Sequence, residues 1–141
     1  MINKINIPRG IRNNNPGNIR WGDDWQGLDP QGREKDPAFC VFTAPEWGIR
    51  ALVKILCNYQ TKYKLRDVRS ILNRYAPPNE NDTESYIANV CRVLGVRDSE
   101  SVNVFEKPVM LNLIKAIIRQ ENGEQPYSNE ILLKGIKLAG M

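Results

Sequence analysis

Glu121 follows a strongly apolar run, Val109–Ile118, and precedes Asn122-Gly123, a pair that commonly stops a helix. A carboxylate there faces the negative end of the helix dipole, and partial burial beside an apolar helix also disfavours its ionised form. A carboxyl group that keeps its proton near neutral pH is what general acid catalysis at a glycosidic oxygen requires. A solvated glutamate on a last helical turn fits the same position, so spacing alone leaves both readings open. Glu124, three residues on, competes for the role.

The other polar candidates have structural explanations beside their chemical ones. Thr43-Ala-Pro-Glu46 has the form of a capping box, in which hydroxyl and carboxylate satisfy free N–H groups at a helix start. Asp23, Asp24 and Asp29 lie in a loop-rich segment where they either flank a cleft or merely form turns. Trp21 and Trp25, within Trp-Gly-Asp-Asp-Trp, suit stacking on sugar faces and loop packing equally. Tyr75 and Tyr86 fall on helical apolar faces, where core packing is the default.

Composition narrows the chemistry further. The chain of 141 residues contains no histidine. That removes Cys-His and Ser-His-Asp hydrolases and the usual His-containing zinc sites, while Asp/Glu chemistry survives. Cys40, Cys57 and Cys91 are widely spaced, odd in number and without a CxxC pair, as expected of buried free thiols. No metal or organic cofactor is implied. The net charge of +4 is spread over single Lys and Arg residues. It favours encounter with anionic surfaces, but without a basic run carrying interleaved aromatics no nucleic-acid partner is expected. No apolar stretch is long enough to span a bilayer, and the first eighteen residues lack the apolar core of a signal peptide.

These residues must be positioned by one domain covering 1–141, with a loop/strand lobe at 1–42 and a helical body at 43–141. The first forty residues are rich in Asn, Gly, Pro, Asp and Trp and lack helical periodicity, with Ala38–Phe42 the best strand candidate. About five helices follow. The first carries Trp47, Ala51, Leu52, Ile55, Leu56 and Tyr59 at helical spacing, and the second runs from Leu65 to Tyr75 before Pro77-Pro78. Asp82 or Thr83 caps the third, which Gly95 ends. Pro108 opens the fourth, apolar on most sides and therefore central, and Ser128 caps a last helix through Leu138. The fold class expected is α+β, mainly α.

Arg9-Gly-Ile-Arg-Asn-Asn-Asn-Pro-Gly-Asn-Ile19, with Phe39-x-x-Phe42-x-x-x-Glu46-x-Gly-Ile-Arg-Ala-Leu52, resembles a family of small phage and prophage proteins described as virion structural or lysozyme-like. RYAPPNENDTESYIANV and AIIRQENG extend the resemblance over nearly the whole chain. A second, weaker similarity is to bacterial glucosaminidases of the autolysin and flagellar type. Those begin with a helix ending in a Glu-Ser/Asn-Gly-like element. An Asn-Asn-x-x-Gly-Ile segment, an aromatic-x-x-aromatic strand and a Tyr-Ala-Thr-Asp-Pro-like loop follow. Here Asn14 to Ile19, Phe39 to Phe42 and Tyr75-Ala76-Pro77-Pro78 keep that order, but the glutamate helix comes last, the arrangement of a circular permutation.

The resemblances imply a lysozyme-like domain that cleaves peptidoglycan glycan strands as a glycosidase or lytic transglycosylase. Glu121 matches the catalytic acid, and Tyr75 matches a tyrosine near the cleft. Asn18, Trp21 and Trp25 are the expected substrate contacts. No second catalytic carboxylate is matched, which favours a route needing one glutamate. Such a protein, made without a signal peptide, would act at the bacterial cell wall, in infection or lysis, alongside other virion proteins. A non-enzymatic virion or glycan-binding protein on the same scaffold, or an injected host-interaction protein, remains open, because fold does not fix function. If the permutation is real, Glu121 must share a cleft with Asn14–Trp25 and lie near Tyr75.

Overall fold

The computed structural model describes residues 6–141. Residues 1–5, part of the segment read as lacking a signal core, lie outside the described residues. The structure is mainly helical, with α1 (Arg9–Arg12), α2 (Gly32–Lys35), α3 (Pro45–Thr61), α4 (Val68–Tyr75), α5 (Thr83–Leu94), α6 (Lys107–Asn122) and α7 (Asn129–Leu138). The five long helices, α3 to α7, are those expected from apolar periodicity; α1 and α2 are single turns inside the N-terminal lobe.

Local chemistry sets most helix ends. Asp67, Asp82 and Ser128 each accept an N–H from the first turn of α4, α5 and α7. Gly95 and Gly123 close α5 and α6 in the left-handed conformation that only glycine adopts without steric cost. The start of α3 departs from expectation. Neither Thr43 nor Glu46 caps it: the N-cap residue is Ala44, with no side-chain cap bond. The Thr43 hydroxyl donates instead to the Gly27 carbonyl, and the Glu46 carboxylate lies 3.4 Å from Lys134 Nζ. The lobe and α7 claim the two side chains that a capping box would have used.

Ile49, Leu52, Val53 and Leu56 of α3 join a core with Ile71, Leu72, Ile87, Val90, Leu132, Ile136 and the buried face of α6. Helix α6, which buries Met110, Leu113, Ile114, Ala116, Ile117 and Ile118, touches α1, α3, α5 and α7 and is central, as its apolar pattern implies. No described helix is long and apolar enough to cross a membrane.

The opposite face of α3 serves the lobe. Ala51 packs with Ile19, Cys40 and Phe42, flanked by Trp21, Trp25, Trp47 and Ile55. The strand expected at Ala38–Phe42 is reduced to isolated antiparallel bridges, Arg20 with Phe39 and Leu28 with Phe42. Without a continuous ladder, side chains take up the backbone groups. Buried Asn15 accepts from Ile19 N and donates to the carbonyls of Ile19 and Cys40. Buried Asp36 accepts from Arg9, from Asn13 Nδ2 and from the N–H groups of Ala38 and Phe39. The Arg9 guanidinium beside it, with the other donors, holds its carboxyl well below the usual carboxylate range despite burial.

Candidate active site

The last turn of α6 meets the lobe where Pro16-Gly17-Asn18 bends past it. Asn122 Nδ2 donates to the Pro16 carbonyl at 2.8 Å and pins that junction. Asn18 is held at φ +53°, a left-handed backbone that asparagine tolerates better than most residues. Its Nδ2 reaches Glu121 Oε1 at 3.1 Å. From the other side Tyr86 of α5, only 3% exposed, donates its hydroxyl to Glu121 Oε2 at 3.0 Å. One donor on each oxygen fixes the carboxyl plane.

Burial is the largest influence on this carboxyl and raises its pKa. The Asn18 and Tyr86 hydrogen bonds oppose it by favouring the ionised form, and burial prevails. Tyr75, on the last turn of α4, donates its hydroxyl to the Gly17 carbonyl. The approach is so close that a Cβ on Gly17 would collide with the Tyr75 hydroxyl and crowd Leu52. Burial first, then the Glu121 charge, pushes the Tyr75 pKa well above its ordinary value, so the hydroxyl stays protonated.

Glu121, Asn18 and Tyr75 line one open cavity of about 740 Å³, together with Gly17, Arg20, Phe39, Tyr59, Arg74 and Glu80. Segments more than a hundred residues apart thus form one site. Glu121 thus shares one cavity with Asn18 and Tyr75. A second cavity of about 670 Å³, lined by Asp23, Asp24, Trp25, Asn58, Tyr63 and others, meets the first at Ile55, Tyr59 and Arg74. Trp25 therefore lies beside the Glu121 cavity rather than in it. Trp21 lines neither: its Nε1 donates to the Asp36 carbonyl, and its ring lies under Arg33. The pairing of its indole with lobe backbone explains why it packs the lobe instead of facing a ligand. Glu124 is exposed and lines none of the cavities that Glu121 reaches.

Sequence reasoning assigned Tyr86 to the core and did not single out Arg20, Arg74 or Glu80. Apolar periodicity places Tyr86 correctly on a buried face but does not reveal where its hydroxyl ends. Glu80 lies on the exposed Pro77–Asn81 turn, which closes on itself through the Pro77 carbonyl. The cysteines line no part of this cavity: Cys40 is fully buried, its thiol pushed up to about 11 by desolvation, whereas Cys57 and Cys91 are only partly buried, short of the burial expected. Among the described residues, no group of three or more Cys, Asp or Glu side chains is placed to hold a metal ion.

No protein-family model matches the chain. A mainly helical member of a family that includes a phage protein is the class that the fold and the similarity define. Protein P5 of Pseudoalteromonas phage PM2 is 40% identical over 133 residues, covering 92% of this chain and 80% of the phage protein, and the chain belongs to the family of that protein.

Proposed function

We propose that the chain cleaves the glycan strands of peptidoglycan, with Glu121 as the general acid, on a lysozyme-like and circularly permuted scaffold. One observation carries the reading. A desolvated glutamate with raised proton affinity is clamped between Asn18 and Tyr86 at the wall of a cavity large enough for sugar rings. A raised proton affinity and a fixed carboxyl plane both suit a group that must deliver a proton to a leaving oxygen. Membership of a phage protein family supports it, since a phage must breach a cell wall to enter and to leave; acting there with other virion proteins follows from the same reading.

In the reaction, the Glu121 proton passes to the glycosidic oxygen as its bond to the anomeric carbon breaks. Asn18 and Tyr86 stabilise the carboxylate that forms. Tyr75 acts through position: its hydroxyl is engaged by Gly17, so it holds the Gly17-Asn18 bend against the acid. Trp25 contributes to the adjoining cavity, where further rings of the strand would lie. Glu80 shares the cavity, but its turn is exposed and tied only to itself, so it lacks the fixed aim expected of a second catalytic carboxylate. A route with one glutamate follows. The substrate's own hydroxyl bonds to the anomeric carbon and gives its proton back to the Glu121 carboxylate, or the acetamido oxygen bonds there and water, losing its proton to the same carboxylate, then opens that ring.

Mass spectrometry of fragments released from purified peptidoglycan tests both parts. Release of disaccharide-peptides with anhydro ends is expected. Fragments with reducing ends would keep the cleavage and reject internal ring closure by the hydroxyl, and no fragments would reject the enzyme.

A further inference from the structure

Two arginines in the wall of the Glu121 cavity play no part in the acid chemistry. The Arg20 guanidinium lies 4.7 Å from the centre of the Phe39 ring. That of Arg74 lies 3.7 Å from the Tyr63 ring centre and 5.4 Å from that of Tyr59. Among the described residues neither forms an ion pair, in contrast to Arg9, bound to Asp36, and Arg69, bound to Glu84 and Asp98. An aromatic face fixes the plane of a guanidinium and leaves its N–H edge for other partners, part of which Arg74 turns to the Tyr59 hydroxyl, so less freedom is lost when the rest meets a carboxylate. The anions facing them are Glu80 and Glu121 in the same cavity and, where Arg74 borders the second cavity, Asp23 and Asp24. The first cavity thus sets two guanidiniums against Glu80 and against Glu121, whose charged form burial disfavours.

We propose that Arg20 and Arg74 bind a carboxylate of the substrate, which makes the site selective for acidic glycans over neutral ones. This rests on the glycan reading above. Strands built only of N-acetylglucosamine carry no carboxylate. Peptidoglycan carries one in the lactyl group of each muramic unit, free or extended by a stem peptide with carboxylates of its own. A forked, bidentate contact suits either source.

Calorimetry on the Glu121→Gln protein, which would leave strands intact, separates the possibilities. Three tetrasaccharides serve as probes: chitotetraose, the peptidoglycan tetrasaccharide without peptides, and the same with its stem peptides. At least one carboxylate-bearing strand should bind about tenfold more tightly than chitotetraose, the effect of one charge-assisted hydrogen bond. Arg20→Gln or Arg74→Gln should erase that preference without lowering the melting temperature, since both side chains are exposed. Preference for the peptide-free strand assigns the lactyl group, and preference only for the stem-bearing strand assigns the peptide. Equal binding of all three, binding of none, or a preference surviving both substitutions would overturn the proposal. Wall cleavage by wild type without any preference would leave the enzyme standing and remove the arginines' role. A preference without cleavage would do the reverse.

Discussion

In the helical body the buried surface is apolar side chains from α3 to α7, with Gln60 and Thr83 its only buried polar residues among those described. The N-terminal lobe has a much smaller apolar cluster and buries Asn13, Asn15 and Asp36 instead. The body satisfies its backbone within helices, so its interior needs only to exclude water. The lobe has no such ladder, and each buried loop carbonyl or N–H must be met by a side chain or left unpaired at a cost of about 1–3 kcal/mol. Glu121 sits where the two meet. The body supplies an apolar helix end that desolvates this carboxyl and, through Tyr86, one of its two donors, and the lobe supplies the other through Asn18.

Substitutions can break the contrast from either side. Ile117→Ala opens a cavity in a fully buried face of α6 and should cost about 2–5 kcal/mol, the largest loss expected, read by denaturant unfolding. Gly48→Ala attacks the seam: a Cβ there would overlap the Asn14 carbonyl oxygen, and backbone cannot yield as a side-chain tip can. It should cost up to about 3 kcal/mol and loosen the lobe first, seen as loss of amide protection at Asn15 and Ile19 before the body helices.

Asp36→Asn keeps the shape of the lobe's central acceptor and removes its charge, for an expected loss of about 2 kcal/mol. Its pH dependence sharpens the test. The folded carboxyl is held below its ordinary value, so its stabilisation is complete above the unfolded pKa of about 4 and fades as pH falls toward the depressed folded value. Wild type and variant should differ at pH 7 and converge only in strong acid. A gap that closes near neutrality would mean another group holds the lobe.

The smallest effect concerns the motif that misled sequence reasoning. Thr43→Ala should cost under about 0.5 kcal/mol, because the exposed hydroxyl caps nothing, whereas a true N-cap would cost about 1 kcal/mol.

That case shows what the sequence made legible. The long helices were readable because periodicity, Asp82, Gly95, Pro108, Gly123 and Ser128 are local signals, and helix packing did not override them. The lobe was not, because its bonds join residues such as Arg9 with Asp36 and Asn15 with Cys40, whose pairing no local pattern encodes. For the candidate site, a helix stop after an apolar run left Glu121 open between an acid and a solvated residue, and the resemblance selected it together with Tyr75, with Asn18 an expected substrate contact. The Tyr86 hydroxyl and the stacked arginines depend on how α5, α4 and the lobe converge, which is settled only in three dimensions.

The proton of Glu121 is the centre of the proposed mechanism, and one paired measurement reaches it directly: turbidity loss of purified cell walls and thermal melts for wild type and Glu121→Gln. Because the folded pKa is raised, the neutral form is favoured, and stability present below the ordinary value of about 4 is lost as pH rises through the raised one. The amide should therefore melt no lower than wild type at neutral pH, and any advantage should vanish in acid. It cannot deliver a proton, so lysis should fall about a hundred- to ten-thousand-fold. A folded Glu121→Gln protein that clears cell walls at the wild-type rate would contradict the account.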